Sequence, residues 1–500
     1  MFIMLACLSF SLWLKSHVWP LTVYPNSLTR VLPIPLTSIR LAGPEDTLAQ
    51  LELEKKAMDR ITKAGIVCPV PFRVQRPSWA SYLGAPYGYK PTEASDTVLR
   101  VDKANGGDGV NFARVVTFLP GKLLAECAGK PPAVPCSGAL RRVGATVACV
   151  GAALYGDNSH CLSKTMVHSE DSSNGNENSS IATVYAPWNP AAARRNLAWD
   201  LGNALACESD LKFVENPAKR ELVVKWLRRF SRATQQDKTE TAAGAVDHNT
   251  DDTADGAFTG LLLGLPEQVI HGDLNDYNVL LTDDAALCID TVDETTTTTT
   301  TGTTEIANYP DVIAVARRFC CGVSVLDFGD MVWSKRIYDL AIAVAYAAQR
   351  RVTANDALSA ALNVVQGYAT AQRALYQSAN GCDKSSASPD GNEGLMIGGD
   401  KISKAEALAL PVCVAARLCQ SVLTSAATLA DIRATATSVL DSRGGGNTDE
   451  EVMNAKKVEV ESRAAYVAVS AAPGWALLQQ WDELYDSGQL DGLVQVLVEW

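Results

Sequence analysis

The stretch VIHGDLNDYNVLL, Val269 to Leu281, decides the interpretation of this chain. It places three polar side chains, His271, Asp273 and Asn278, in a short segment between two apolar runs. Apolar runs of this length, rich in Val, Ile and Leu, are typical of short buried strands. The pattern therefore predicts a tight polar loop that connects two strands and carries groups able to bind or transfer protons.

A second dense stretch, VLDFGDMVWSKRIYDLAIAVAYA, follows at residues 325–347. It carries Asp327 and Asp330 directly after another apolar run, and Asp339 at the start of an apolar segment with helical spacing. Either polar turn alone would be a weak signal, because polar turns between strands are common. An aspartate, an asparagine five residues later and then a second aspartate turn, in this order, indicate a phosphoryl-transfer site.

The residue types suit that chemistry. Asp273 can orient and deprotonate an accepting hydroxyl group, and we predict it as the catalytic base. Asn278 and Asp327 offer one neutral and one charged oxygen ligand, as Mg²⁺ prefers. His271 is the second candidate catalytic residue. We expect it to brace the loop through the neighbouring aspartates rather than to carry protons.

Composition excludes several classes of protein. With 500 residues, the chain is too long for a single core, so we expect two or more packed units. A net charge of −12 argues against a nucleic-acid partner, and 47% hydrophobic residues fit a globular chain with no stable membrane association. The thirteen cysteines show no zinc-type spacing, which predicts reduced thiols and a cytoplasmic location. Oligomeric state does not follow from any of this.

Residues 1–37 remain unassigned by pattern. Met1 to Leu14 is almost entirely apolar but too short for a membrane span. A weak signal or anchor, an ordinary first strand and a replaced or misassigned start of the coding region all fit. We favour the last, because four prolines within residues 20–35 suit a strand pair poorly.

Residues 38–122 predict a small unit rich in strands. Helical spacing predicts a helix over residues 45–65, which Gly65 can close. The β-rich segments Thr97–Lys103 and Asn111–Leu119 flank NGGDG, which predicts a hairpin.

Residues 123–500 are mostly helical by pattern, with the two polar turns on short strands. Candidate helices cover Gly138–Leu154, Asn196–Leu205, Pro217–Arg232, the segment after Tyr338, and residues near 403–431 and 454–485. Polar low-complexity stretches interrupt them near residues 169–180, 235–256, 291–310, 378–399 and 441–451. We expect these stretches to be surface insertions, because they cannot bury enough apolar surface to order themselves.

These motifs resemble the aminoglycoside phosphotransferase/choline kinase family. HGDLNDYNVLL, LDFGDM and DLAIAVAYA carry the resemblance, and further matching segments are ARVVTFLPGKLLAE, NLAWDLGNALACE, ARLCQSVLTSAA and PGWALLQQ. Together they span about residues 40–485. DFGDM, with Asp330, and the last helices are most similar to the hydroxylysine kinase branch. The resemblance implies an α+β, two-lobed protein-kinase-like fold, with a small β-rich N-terminal lobe, incomplete here, and a large, mainly helical C-terminal lobe.

The resemblance also implies nucleotide-binding residues. Arg40 stands where the family has a lysine, and Glu52 matches the glutamate that pairs with it. Arginine carries the charge but not the compact geometry of an ammonium group. Thr117, Phe118 and Leu119 would present hinge backbone to the purine of GTP or ATP. Asp339 would support the catalytic loop by hydrogen bonds, although an ordinary aspartate at a helix start fits equally well.

By the same resemblance, the activity is transfer of the γ-phosphate of GTP to the side-chain hydroxyl of 5-hydroxy-L-lysine. A small amino compound needs carboxylates at the cleft mouth, and Asp276, Asp330 and Asp200 are the candidates. Solvated surface acids are the simpler explanation for each. Two alternatives stay open: a related kinase acting on choline, homoserine or an aminoglycoside, and a non-catalytic binding protein with this fold.

Overall fold

The structure, a computed structural model, describes residues 37–41, 47–72, 90–93, 97–102, 110–127, 136–155, 190–235, 259–282, 310–381, 401–441 and 450–499. The chain forms two compact units. The small unit comprises Met1–Lys55 and Pro69–Leu119, and the large unit comprises Lys56–Cys68 and Pro120–Trp500. The apolar N-terminal segment and most of each predicted polar insertion lie outside the described residues.

The small unit contains one antiparallel sheet. Its strands are β1 (Thr37–Leu41), β2 (Lys90–Glu93), β3 (Leu99–Asp102) and β4 (Val110–Thr117), in the order β1-β4-β3-β2. Strands β3 and β4 pair from Leu99↔Ala113 to Asp102↔Val110, which confirms the predicted hairpin.

Helix α1 (Leu48–Lys63) confirms the helix predicted over residues 45–65. Gly65 closes it with φ of +83°, a conformation that glycine adopts without steric cost. The buried stripe of α1 runs through Leu51, Met58 and Ile61, at helical spacing.

The large unit is mainly helical. Its helices are α2 (Leu124–Cys127), α3 (Ser137–Leu154), α4 (Pro217–Thr234), α5 (Pro310–Phe319), α6 (Ile337–Ala348), α7 (Ala354–Gly381), α8 (Lys404–Asp441), α9 (Glu450–Asp486) and α10 (Asp491–Val498). Glycines allow α3 and α7 to cross closely. A Cβ at Gly144 would lie 1.8 Å from the Val364 carbonyl oxygen, and one at Gly367 equally close to that of Arg141.

Two small sheets lie among these helices. Their strands are β5 (Lys122–Leu123), β6 (Glu267–Ile270), β7 (Val279–Leu281), β8 (Val323–Val325) and β9 (Val332–Lys335). One sheet has the order β5-β7-β8, and the other pairs β6 with β9. Strands β7 and β8 pair antiparallel, so the polar stretch near residues 291–310, which is rich in threonine, lies between two neighbouring strands in the chain.

The sequence missed or misjudged several helices. Residues Leu201–Phe213 form a 3₁₀ helix, where an α-helix was predicted over Asn196–Leu205. Helix α7 was not predicted, and Ser378–Gly381, assigned to an insertion, complete it. Likewise Pro310 begins α5 instead of ending an insertion, because proline fits the first helical position.

One helix among the described residues, Lys404–Ala436, is long and apolar enough to cross a membrane by length and composition. Of its most apolar 18-residue stretch, 83% is buried inside the protein. A helix apolar on all sides and packed by its neighbours is typical of a core helix.

Candidate active site

The two predicted polar turns meet in the large unit. Strand β6 leads into residues 271–278, here called the catalytic loop, and strand β7 follows it. Asn278 accepts a backbone hydrogen bond from the N–H of Leu326, one residue before Asp327. The pairings Ile270↔Val332 and Val279↔Val325 therefore place the loop beside residues 327–330, here called the DFGD turn.

Gly272 is required at the point of closest approach. Its φ is +81°, and an added Cβ would lie 2.3 Å from the carbonyl oxygen of Asp330. Real Cβ atoms do not come so close to backbone, so any side chain here would push the two turns apart. The glycine of HGD thus has a steric origin.

Asp339 holds the start of the loop from the first turn of α6. Its carboxylate oxygens accept hydrogen bonds from the backbone N–H groups of His271 and Gly272, each at 2.9 Å. Burial raises the pKa of Asp339 to about 6, and the two backbone hydrogen bonds oppose that rise. A carboxylate that accepts two N–H groups fixes the backbone it binds.

His271 is fully buried. Its Nε2 lies 2.8 Å from the carbonyl oxygen of Leu326, and its Nδ1 accepts from the N–H of Asp273 at 3.4 Å. The ring also contacts Phe328 at 4.9 Å between centroids. Both ring nitrogens thus contact backbone groups, where the sequence led us to expect the neighbouring aspartates. These contacts link the catalytic loop to the residues around the DFGD turn.

Asp273 receives hydrogen bonds on both carboxylate oxygens and is only 6% exposed. Its Oδ2 accepts from the side-chain amides of Asn275, at 2.7 Å, and Asn278, at 2.9 Å. Its Oδ1 lies 2.6 Å from Nη2 of Arg417. Burial raises the pKa of Asp273 to about 7; Arg417 opposes this rise, while the carboxylates of Asp330 and Asp327 add to it.

Arg417 is the main functional candidate that the sequence analysis missed. It lies in α8, is 2% exposed, and forms the ion pair with Asp273. The signal that could have found it is a lone arginine within the apolar run PVCVAARLC, because a charge buried in a core helix needs a partner.

Asn278 and Asp327 are the two residues predicted to offer oxygen ligands to a metal. The amide nitrogen of Asn278 donates to the carbonyl oxygen and the Oδ2 of Asp273, which directs the amide oxygen to the other side. Asp327 has φ of +54°, unusual for aspartate, and its Oδ1 accepts from the N–H of Gly329. Strained backbone of this kind is often found at functional sites.

Among the described residues, no group of three or more His, Cys, Asp or Glu side chains could hold a metal ion. The pair of Asn278 and Asp327 nevertheless fits Mg²⁺, which usually takes one or two carboxylates and completes its shell with phosphates and water. The donor set therefore suits a metal that arrives with a nucleotide, and does not form a closed protein cage.

Asp330 is half-buried in the DFGD turn, close enough to Asp273 to raise the pKa of that carboxyl. Arg195 holds this turn by donating to the carbonyl oxygens of Gly329 and of Met331, the latter at 3.0 Å. Asp330 is thus the one of the three predicted substrate acids that the structure brings beside the candidate base.

Asp276 does not lie at a cleft mouth, contrary to the prediction. It is 2% exposed, and burial raises its pKa to about 6 while Arg350 opposes that rise. Its backbone carbonyl accepts from the N–H of Ala125, so the residue faces the interior beneath the loop. The polarity of DLNDYN could not reveal this burial.

Asp200 lies elsewhere too. Its Oδ1 accepts from the N–H of Gly202 and from the hydroxyl of Ser334, so it caps the 3₁₀ helix. It lines a surface pocket of about 380 Å³ with Glu267, Trp333 and others, and none of the catalytic-loop residues lines that pocket. The structure thus places Asp200 on this pocket and not on the catalytic loop, and its role in binding substrate stays a prediction.

In the small unit, the described ion pair differs from the predicted one. Glu54, 2% exposed, pairs with Arg114 at 2.7 Å, whereas Oε1 of Glu52 is buried with no hydrogen-bond partner among the described residues. Residues 52 and 54 lie about 200° apart around a helix, and Glu54 shares the buried face of Leu51. Arg40 is the register partner of Arg114, and its side chain lies outside the described residues.

The predicted hinge residues end the small unit. The N–H of Thr117 donates to the carbonyl oxygen of Val70, and its hydroxyl accepts from the N–H of Val70, so this amide is not available to a purine. Phe118 is 48% exposed and Leu119 is half-buried. Their role in nucleotide binding stays a prediction.

Comparison with known proteins places the chain. Two solved structures resemble it distantly. Amicoumacin kinase hAmiN in complex with AMP-PNP, Ca²⁺ and Ami shares 11% identity, with a TM-score of 0.39, covering 85% of this chain and 81% of that chain. The microcompartment-associated aminopropanol kinase shares 14% identity, with a TM-score of 0.36, covering 92% of this chain and 88% of that chain. These scores are too low to carry an argument.

No curated protein matches the chain. In contrast, residues 37–291, more than half of the chain, match the family model described as APH, phosphotransferase enzyme family. The match begins at β1 and includes the whole catalytic loop, and it confirms the family resemblance and the kinase-like α+β class inferred from the sequence. The chain belongs to the APH phosphotransferase enzyme family.

Proposed function

We propose that the protein is a Mg²⁺-dependent kinase that transfers the terminal phosphate of GTP or ATP to the side-chain hydroxyl of a small amino compound, with 5-hydroxy-L-lysine as the preferred acceptor. One observation carries this proposal. A buried carboxylate, Asp273, is held on both oxygens by Arg417, Asn275 and Asn278 directly beside the DFGD turn. Phosphoryl transfer requires such a fixed base next to oxygen ligands for a metal.

The roles of the residues follow from this arrangement. Asp273 accepts the proton of the substrate hydroxyl as the phosphate is transferred. Its pKa, raised to about 7, suits a base that works near neutral pH. Asn278 and Asp327 would hold Mg²⁺, which when bound neutralises charge on the phosphates. Asp339 and Gly272 fix the backbone on which Asp273 stands.

The acceptor is assigned from two lines of support. Asp330 offers a half-buried carboxylate beside the base, which suits an ammonium group on the substrate. The segment ARLCQSVLTSAA lies in α8 and PGWALLQQ lies in α9, and both resemble the hydroxylysine kinase branch. We also propose a cytoplasmic location, as expected from the cysteine pattern of the sequence.

The test is a substrate panel with direct product detection. Purified protein is incubated with Mg²⁺ and either GTP or ATP, in the presence of 5-hydroxy-L-lysine, homoserine, choline or an aminoglycoside. Phosphorylated products are identified by mass spectrometry. We expect phosphohydroxylysine as the main product and no product when the metal is chelated. Product from choline alone would overturn the acceptor.

A folded protein that binds nucleotide but phosphorylates no acceptor would overturn the kinase itself. That result would support a non-catalytic binding protein, the alternative that Arg40 in place of a lysine keeps open. Nucleotide affinity, measured by calorimetry on the same sample, separates this outcome from simple misfolding.

A further inference from the structure

Arg417 is buried where an arginine is costly. It lies on α8 between Ala416 and Leu418, and its side chain is 2% exposed. Burying a guanidinium group is unfavourable unless it is paired and hydrogen-bonded, so its neighbours indicate what it does.

The guanidinium is held from several sides at once. Its Nη1 donates to the carbonyl oxygen of Trp199 at 2.8 Å and to Oε1 of Gln420 at 3.0 Å. The rings of Trp199 and Tyr346 lie 5.0 and 5.6 Å from its central carbon. A planar group held by two hydrogen bonds and two rings has little rotational freedom.

Gln420, about one turn further along α8, also contacts the segment before the 3₁₀ helix. Its Nε2 donates to the carbonyl oxygens of Ala198 and Asp200, at 2.7 and 3.2 Å. The segment 198–200 is therefore tied to α8 by both Gln420 and Arg417. The guanidinium group of Arg417 is therefore held in a fixed position where it contacts Asp273.

The contacts of Asp273 are unequal on its two oxygens. Oδ2 accepts from Asn275 and Asn278, whereas Arg417 is the hydrogen-bond partner of Oδ1 among the described residues. A carboxylate oxygen has two lone pairs, so Oδ1 can accept one more hydrogen bond. That free direction is fixed by the position of Arg417.

We propose that Arg417 is a positioning residue that sets the rotamer of Asp273 and directs its Oδ1 to the acceptor hydroxyl. This inference rests on the proposed kinase function. Placement of a reacting group affects the chemical step more than the binding of substrates, because an error of about 1 Å can cost about 100-fold in rate. The ion pair is therefore part of the reaction geometry, and the stability it gives is secondary.

The experiment uses the full chain and compares R417M, R417K and R417A with a matched control, R229M. Arg229 is also buried, at 6% exposure, and stacks on Trp226 and Tyr485, away from the catalytic loop. We expect R417M to lower kcat by about 100-fold with KM values for nucleotide and acceptor changed by less than about threefold. R417K should recover part of kcat, because a lysine can reach one partner only. Added guanidinium ion should partly restore R417A.

Three results would overturn the proposal. Unchanged kcat in R417M would show that Asp273 needs no positioning, and a higher kcat would show that the ion pair inhibits the base. An equal loss in R229M, without guanidinium rescue of R417A, would reduce Arg417 to a general packing role.

A double-mutant cycle keeps the inference testable if the wild type proves inactive. D273N, R417M and the double variant are unfolded with denaturant, and we expect the loss in the double variant to be clearly smaller than the sum of the single losses. Additive losses would contradict the contact itself. An inactive wild type with strong coupling would refute the proposed function while leaving Arg417 as the residue that holds Asp273.

Discussion

Two of the buried ion pairs among the described residues, one from each compact unit, look alike in isolation. Arg417 and Asp273 are 2.6 Å apart in the large unit, and Arg114 and Glu54 are 2.7 Å apart in the small unit. All four side chains are less than a tenth exposed. The difference lies in the surroundings, because Asp273 also accepts from two asparagines and stands beside the carboxylates of the DFGD turn.

This difference shows that burial and distance alone do not reveal function. A buried ion pair is weak evidence for stability and none for catalysis, since desolvation offsets most of the attraction. The polar groups that converge on one carboxylate, and the strained backbone next to it, distinguish the pair in the large unit. Loss of the two pairs should therefore change different properties, catalysis in the large unit and stability in the small unit.

The largest effect is expected where the loop meets the DFGD turn. Gly272→Ala should lower kcat by about 100-fold, because the new Cβ must push away the carbonyl of Asp330. Gly264→Ala is the matched control, since Gly264 has φ of +71° but open space around its Cβ position. It should cost only about 1–2 kcal/mol in unfolding free energy from the left-handed backbone. Equal kcat in both variants would contradict the steric account.

The ion pair in the small unit should act on stability. Glu54→Gln removes the buried carboxylate that pairs with Arg114 at 2.7 Å and should lower the unfolding free energy by about 3–5 kcal/mol. Glu52→Gln should not lower it by more than about 0.5 kcal/mol, because Oε1 of Glu52 has no hydrogen-bond partner to lose among the described residues. Denaturant unfolding of both variants provides the measurement. A larger loss of unfolding free energy in E52Q than in E54Q would support Glu52 as the pairing residue expected from the sequence.

Asp339 predicts a pH dependence of stability. Burial raises its folded pKa to about 6 from an ordinary 3.8, so its stabilising contribution is complete below about pH 4 and is lost as the pH rises through 6. Asp339→Asn removes that dependence. Between pH 4 and pH 8 the unfolding free energy of the variant should improve relative to wild type by up to about 3 kcal/mol. If the unfolding free energy of wild type and variant changed with pH in the same way, the raised pKa of Asp339 would be contradicted.

The smallest effect belongs to an exposed pair. Arg433 and Glu215 are 3.2 Å apart, but their side chains are 67% and 86% exposed. Arg433→Met should therefore change the unfolding free energy by less than about 1 kcal/mol, and salt should remove most of that change. A loss as large as that of E54Q would show that burial does not separate these pairs.

Local patterns predicted much of the structure. The segment from Ser137 to Leu154, helix α1 and the β3–β4 hairpin follow from spacing and turn residues that lie close together in the chain. The catalytic loop was predictable for the same reason, because Asp273, Asn275 and Asn278 contact one another within five residues.

Contacts over long sequence separations were not predictable. Arg417 meets Asp273 across 144 residues, and nothing in an apolar helix reveals which element packs against it. The choice of Glu54 over Glu52 depended on which face of α1 is buried. Asp276 and Asp200 are as polar in sequence as Asp330, and tertiary packing alone buried one and turned the other to a different pocket.

The most direct test of the account is the rate of phosphate transfer to 5-hydroxy-L-lysine by wild type and by Asp273→Asn, at saturating nucleotide and Mg²⁺. Asparagine keeps the size of the side chain and one oxygen acceptor but cannot take the proton. We predict phosphohydroxylysine from wild type and a rate about 10²–10⁴-fold lower in the variant, with nucleotide affinity retained. Equal rates in the two proteins would contradict the assignment of Asp273 as the catalytic base.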